Sequence, residues 1–306
     1  MSPYSYAECL QNSYRVNWKI GDVIGDRRFD PARRWLPSRL SGAARVTCLT
    51  AAEKMTLNQV EMGAYAHLFG YVEEFIAPRM VGLARDFELD DREAFDALTN
   101  FAAEEIKHMT LFREVRAAVD DALGRPLALL AGARDVARVV LAKNTGAMLL
   151  LTAAIEWFTQ LHYLTCFKDD QSLDPFTRHI FKAHWLEESQ HARIDHLETL
   201  RAFRGMTGVE KDRAIDDLID LVGAVDGLLR TQADLDVENL QRAIGRSLGQ
   251  AEQQEVLASV LAAKRYTFLE SGVTHPNFQE LFGMVTTPAQ QQKVQRALGG
   301  LLAPAA

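Results

Sequence analysis

Residues 101–112 read Phe-Ala-Ala-Glu-Glu-Ile-Lys-His-Met-Thr-Leu-Phe, and residues 184–191 read His-Trp-Leu-Glu-Glu-Ser-Gln-His. Each stretch holds a Glu-x-x-His motif, Glu105 with His108 and Glu188 with His191. On a helix, residues three apart project from one face, so a carboxylate and an imidazole at that spacing can reach the same metal ion. A lone motif of this kind is common and usually marks surface charge. Glu105 and His108, however, stand on an apolar seam between Phe101 and Phe112, where ionisable groups are costly unless paired or metal-bound.

Outward from these motifs the chain repeats itself. A single glutamate stands 32 residues before each motif glutamate (73 to 105, and 156 to 188). A shift of 83 residues carries Glu73 onto Glu156, Glu104 onto Glu187, Glu105 onto Glu188 and His108 onto His191. Both halves therefore read glutamate, helix hairpin, Glu-x-x-His. Two such halves predict an all-α four-helix bundle with inward-facing carboxylates and imidazoles that hold a pair of divalent metals. Four glutamates balance two divalent cations, and the mixed oxygen and imidazole donors without sulfur suit iron or manganese better than structural zinc.

The helices follow from periodicity and caps. Thr50-Ala51-Ala52-Glu53 is a capping-box pattern. It opens a helix whose seam runs Met55, Met62, Ala66, Phe69, Glu73, Ile76, Met80, Leu83 and Phe87. The second helix starts near Asp91 and stops at Gly124-Arg125-Pro126. The third spans about 135–167, and its middle, 146–158, is apolar on nearly every face, as a fully buried helix requires. The fourth spans about 175–204, with Asp174 as N-cap, Pro175 in the first turn and Gly205 as the stop. Further helical segments are expected near 211–231, 238–249 and 253–271, with Pro276 and Pro288 punctuating the end. The first fifty residues, with Trp18, Phe29, Pro31, Trp35 and Pro37 and the breakers Gly21 and Gly25, read as a strap. Its arginines Arg27, Arg28, Arg33, Arg34 and Arg39 read as a solvated face, with an anion-binding patch as the alternative. The expected organisation is a single domain over 1–306: a strap at 1–50, a metal-binding core at 51–205, and further helices at 206–306 packed on that core.

Each candidate has a rival reading. Glu73 lies on the apolar seam, whereas Glu74 shares a face with His67 and Arg85 and would map to Trp157 in the repeat; Glu73 is the preferred ligand and Glu74 the alternative. Glu156 is the only charge between Lys143 and Lys168, and its rival reading is a structural salt bridge. His184 precedes Glu188 by one turn and His191 by two, so all three share a stripe. As a seventh ligand, its ring is expected to point at the metal that His191 also approaches; as a core histidine it would be satisfied by hydrogen bonds. His67, His162, His179, His196 and His275 have no such company and read as structural. Asp195 reads either as support for His191 or as a partner of Arg193 or Lys182.

Composition excludes other classes. The formal charge of −7 and pI near 5.7 argue against nucleic-acid binding by phosphate neutralisation. Cys9, Cys48 and Cys166 form no CxxC pair, which excludes a thiolate zinc site and suits a reducing compartment. The start, Met1 to Glu8, lacks the basic and apolar regions of a signal peptide. The apolar stretch 146–155 is too short for a membrane span. The chain is expected to be cytoplasmic, with neither membrane nor nucleic acid as a partner.

The pattern Glu73, Glu105-x-x-His108, Glu156, His184-x-x-x-Glu188-x-x-His191 resembles that of the arylamine N-oxygenases of the p-aminobenzoate N-oxygenase family, di-iron enzymes of the ferritin-like superfamily. Ferritins, ribonucleotide reductase small subunits and multicomponent monooxygenases share six of these ligands and generally lack the histidine at position 184. The resemblance covers roughly residues 50–205. It implies that Glu73, Glu105, His108, Glu156, His184, Glu188 and His191 are the metal ligands. Glu104-Glu105-x-Lys107-His108 also looks like the Asp-Glu-x-Arg-His of multicomponent monooxygenases. That likeness implies that Glu104 orients His191 and Glu187 orients His108, the alternative being solvent-facing glutamates. The implied function is oxidation of a small organic substrate by O2 through a peroxo-diferric intermediate, with an arylamine as substrate by analogy. Two iron ions are the implied cofactor, or manganese or a mixed Mn/Fe pair. An external electron donor is needed, because no flavin, nicotinamide or iron–sulfur motif is present, and a homodimer is the expected assembly. The rivals are a ferroxidase or iron-storage protein without an organic substrate, and a non-catalytic helical interaction protein.

Overall fold

The computed structural model describes residues 4–87 and 90–302, so Met1 to Pro3 lie outside it. Among the described residues there are helices and no strands, apart from one isolated bridge between Arg34 and Leu173. Two short helices, α1 (Tyr6–Val16) and α2 (Ile20–Val23), lie in the strap. Next come α3 (Ala51–Ala84), α4 (Arg92–Leu123), α5 (Ala133–Leu141), α6 (Thr145–His162) and α7 (Pro175–Gly205). After them run α8 (Gly208–Ile244), α9 (Gln250–Arg265), α10 (Ser271–Val273), α11 (Pro276–Val285) and α12 (Pro288–Leu302).

The core is two helix pairs, α3 with α4 and α6 with α7. Thr50 and Glu53 form the reciprocal capping box that opens α3, and Asp91 caps α4 by accepting from Ala94 N at 3.0 Å. Gly124 closes α4 at φ 66°, a left-handed position that a side chain would strain. Asp174 caps α7 at Phe176 N (2.7 Å) and also accepts from Asp30 N (2.7 Å), which pins the strap to this helix. α6 is buried continuously from Gly146 to Gln160, because α8, α10 and α11 cover the face that α7 leaves open.

Four expectations need correction. The strap contains the 11-residue helix α1, capped by Ser5 and packed against α4 and α7. α3 ends at Ala84, so Phe87 falls beyond its seam. The third helix is broken into α5 and α6, because the Asn144 side chain caps Gly146 N at 2.8 Å while Asp217 of α8 holds the Asn144 amide at 2.9 Å. The segments near 211–231 and 238–249 are one helix, α8, with no Gly or Pro between them to stop it. Pro276 and Pro288, which punctuate the end of the chain, each open a helix, at the start of a first turn where the missing N–H costs nothing.

The polar side chains buried in α8 serve the loop before α5. Gln232 accepts from Leu130 N at 2.9 Å, and Asn239 bonds both the N–H and the carbonyl of Ala128 at 2.8 Å. That satisfies an extended segment which would otherwise bury unpaired backbone groups. α8 also packs on α3 and α6, α9 and α12 on α8, and α11 on α6 and α7.

Candidate metal centre

Four helices bring the seven candidates to one buried place: Glu73 from α3, Glu105 and His108 from α4, Glu156 from α6, and His184, Glu188 and His191 from α7. Ligating atoms fall into two overlapping groups, each with its members within 4.8 Å of one another. One is Glu73, His108, His184 and Glu188; the other is Glu105, His108, Glu188 and His191. His108 and Glu188 are common to both, and Glu188 lies between them. Its Oε1 lies 2.6 Å from His184 Nε2 and 3.0 Å from His108 Nδ1, and its Oε2 lies 2.8 Å from His191 Nδ1. Glu105 Oε1 is 2.7 Å from His191 Nδ1, and Glu73 Oε1 is 3.7 Å from His184 Nε2. Glu156 stands outside both groups, buried beside Glu188 and Glu105. Glu74 is half-buried and belongs to neither group.

His184 departs from its expected place. It shares a group with Glu73 and His108, its ring 4.6 Å from that of His108, and does not share one with His191. The reason is helical rise. His184 and His191 are two turns apart, roughly 10 Å along the axis, so they flank Glu188 from opposite sides and address different positions.

The outer nitrogens of two histidines are held by carboxylates from the opposite motif. His108 Nε2 lies 2.8 Å from Glu187 Oε2, and His191 Nε2 lies 2.9 Å from Glu104 Oε2. An ionised carboxylate only accepts, so Nε2 of each ring carries the proton and Nδ1 faces inward. Lys107 pairs with Glu187, and Ser13 of α1 donates to Glu104 while accepting from Asn100 Nδ2 at 2.8 Å. Trp18 stacks on His108, ring centroids 5.8 Å apart, with the Lys107 ammonium 4.3 Å over its face, and Phe101 stacks on His191 at 3.8 Å. Ser13 and Trp18 were not legible as parts of the site. The one local signal was Ser5-x-x-Glu8, a helix start that places Ser13 on a helix facing α4. Asp195 pairs with neither Arg193 nor Lys182; it is fully buried, and burial pushes its carboxyl well above the ordinary range.

Proton affinities are displaced throughout the cluster. Burial, then the charges of Glu105 and Glu188, push Glu73 well up; burial, then Glu188, do the same to Glu156. Burial would raise Glu188, but His184 and His191 overcome it and hold this carboxylate well below its usual range. Burial likewise opposes the charge on His108, yet Glu188 and Glu187 lift it to about 9. His184 is lowered by burial despite Glu188. Protons here do the charge balancing that cations would otherwise do.

Divalent metals fit the residues present. Both oxygens of Glu73, Glu156 Oε2 and His184 Nδ1 are buried without a hydrogen-bond partner, while Glu105 Oε1, His108 Nδ1 and His184 Nε2 meet only the other side chains of the cluster. Such orphaned atoms are rare in a protein core and cost free energy each. Six glutamates (73, 104, 105, 156, 187 and 188) share this interior, and among the described residues Lys107 is the one lysine or arginine that pairs with any of them. A carboxylate-rich apolar core of this kind is tolerable once cations occupy it.

No curated protein matches the chain. Among solved structures it is similar to an R2-like ligand-binding oxidase with an aerobically reconstituted Mn/Fe cofactor after a long soak, at 15% identity and TM-score 0.44, covering 86% of this chain and 92% of that one. A mutant of an R2-like ligand-binding oxidase with an anaerobically reconstituted Mn/Fe cofactor stands at 15% and 0.43, covering 86% and 93%. Likeness this distant adds nothing to the fold already described. The family model of the p-aminobenzoate N-oxygenase AurF matches residues 17–225, a wider span than the 50–205 expected, taking in Trp18 and the first half of α8. The chain belongs to the p-aminobenzoate N-oxygenase family.

Proposed function

We propose that Glu73, Glu105, His108, Glu156, His184, Glu188 and His191 hold two iron ions, with manganese or a mixed Mn/Fe pair as the alternative filling. The loaded chain then uses O2 to oxidise a small organic substrate. Family membership makes the chain an oxygen-using oxidoreductase, and N-oxygenation of an arylamine is the reaction type carried by the family's name. The observation that carries the metal assignment is the pair of overlapping groups around Glu188, in which buried imidazole nitrogens and carboxylate oxygens converge on one another, some of them without any hydrogen-bond partner.

When bound, the metal pair supplies dioxygen binding and its reductive activation. The protein's residues prepare the place. Glu104 and Glu187 fix the tautomers of His191 and His108, and Ser13 and Lys107 hold those carboxylates in turn. Phe69, Phe101 and Phe112 wall the cluster and keep water out. Glu73 and Glu156 must release protons when cations arrive, so metal uptake is coupled to proton release. His184 has no carboxylate behind its Nδ1, which sets it apart from the other two histidines. Inserting one oxygen atom from O2 consumes two electrons and two protons and yields water. An external donor supplies those electrons. The chain acts in the cytoplasm as a homodimer, and residues 1–306 form one domain.

The test is oxygen uptake by the chain loaded anaerobically with two equivalents of ferrous iron, with an arylamine and a chemical reductant present. Repeated turnover with oxygenated product supports the proposal. A single stoichiometric oxidation of iron, indifferent to any organic compound, would return the storage reading to first place. Among the described residues no helix is long and apolar enough to cross a membrane.

A further inference from the structure

Two apolar cavities lie side by side along α6. The outer one, about 570 Å³, is lined by α6, α8, α11, α12 and the 268–274 segment. The inner one, about 180 Å³, lies among α3, α5, α6 and α8. Leu151, Ile155 and Phe268 line both and form the wall between them. The inner cavity is also lined by Val72, next to Glu73 in the chain, and by Phe158, two residues beyond Glu156. A third void of about 10 Å³ touches His184 itself, beside Phe69 and Phe181. Phe268 lines the two larger cavities and packs on Phe69, which lines the void at His184. Its ring lies 5.7 Å from Phe158 and 6.1 Å from Phe69, and Phe69 meets His184 edge-on at 5.2 Å. Phe268 stands in the π-helical turn Tyr266–Glu270, and such widened turns recur at functional sites.

No charged side chain lines either of the two larger cavities among the described residues, and the remaining residues include no lysine or arginine. The one polar group of the inner cavity, the Tyr71 hydroxyl, is already committed to Ala131 O at 3.0 Å. The outer cavity has only uncharged polar groups, among them Gln279, Gln291 and Gln295. A carboxylate entering this route would lose its water and find no cation, which opposes binding strongly. An apolar body meets no such cost, and an apolar cavity of about 150 Å³ is known to hold benzene.

We propose that the inner cavity seats an uncharged one-ring arene, with Phe268, in the wall it shares with the outer cavity, as the specificity-determining residue. This chain would then discriminate against the anionic aminobenzoate named in its family. The inference rests on the oxygenase reading for its chemistry, but the seat can be tested without any metal.

The experiment is calorimetric titration of the metal-free full chain with aniline and with 4-aminobenzoate at pH 7.5, where the first is neutral and the second an anion. Aniline should bind at least about tenfold more tightly, the discrimination that an unpaired charge imposes. Ile155→Trp, which fills the shared wall, should weaken aniline binding by about tenfold or more. Phe268→Ala, which joins the cavities, should improve 2-naphthylamine binding by a similar factor. Thermal melts establish that each variant is folded, and either variant alone suffices if the other is not. Absence of aniline binding, 4-aminobenzoate binding as tight as aniline, or indifference to the folded variants would overturn the proposal. Aniline binding as described, with an iron-loaded chain that never oxidises it, would leave the seat standing and remove the oxygenase reading instead.

Discussion

Glu188 places one oxygen in each group of ligands, so its loss should be felt at both metal positions rather than one. Glu188→Ala is expected to bind well under half the iron of the wild type, by metal analysis after loading and desalting. Removal of the anion also leaves His108 and His191 buried without it, so the metal-free variant should lose about 3–5 kcal/mol of stability. His184→Ala removes a donor from one group only. It should keep the fold and most of the iron while oxygen-dependent oxidation falls, a split visible when metal content and oxygen uptake are measured on one preparation. A variant with wild-type oxygen chemistry would show that His184 is a core histidine after all. Six of the seven candidates were legible because glutamates and histidines on apolar seams are costly and the chain repeats them in register, and His184 because it shares their stripe one turn before Glu188. The division of the histidines between the two groups was not legible, since it depends on which side of Glu188 each ring falls. Ser13 and Trp18 were hidden for another reason: a serine and a tryptophan in an aperiodic stretch carry no sign of the histidine or glutamate they will meet.

At the scale of elements, caps and breakers were the readable part. Thr50 with Glu53, Asp91, Gly124 and Asp174 with Pro175 each mark a helix end within a residue or so. The break between α5 and α6 was not readable, because it is enforced by Asp217, 73 residues away from Asn144. The joining of two expected segments into α8 was readable from the absence of Gly or Pro at 232–237, where Gln232, with Asn239 beyond it, serves the 128–130 backbone. The 266–273 segment is held against α6 at Gly272, where an added Cβ would stand 2.2 Å from Ala154 O. Backbone oxygen cannot yield as a side chain can, so Gly272→Ala must push α10 off α6 at a cost of about 1–3 kcal/mol. Chemical denaturation should show that loss. Because Phe268 rides on the same segment, arene binding in the adjoining cavities should weaken with it.

At the scale of the whole molecule, α8 and α9 are tied to the bundle through a buried polar cluster remote from the metal centre. Glu61 of α3 accepts from Gly42 N at 2.9 Å and from Ser41 Oγ, and Lys264 of α9 pairs with Asp236 of α8 at 2.6 Å. Burial raises the Glu61 carboxyl to about 7, against the lowering effect of Lys264 and Gly42. In the unfolded chain it titrates near 4.3, approximately, so between those values the folded state binds the extra proton. Its contribution is therefore complete at low pH and is lost as pH rises through about 7, at about 1.4 kcal/mol per unit. Melting temperatures from pH 5 to pH 8 should fall more steeply in the wild type than in Glu61→Gln, and parallel curves would refute the assignment. The packing of α8, α9, α11 and α12 on the bundle leads us to expect one cooperative calorimetric transition for residues 1–306, whereas two separated transitions would divide the chain at about residue 206. The claim on which everything else depends is the metal pair, and anomalous diffraction at the iron edge from crystals of the iron-loaded chain addresses it most directly. Two peaks are predicted on either side of Glu188, one bounded by Glu73, His108 and His184 and the other reached by Glu105 and His191. A single peak, no peak, or iron bound away from Glu188 would contradict the account.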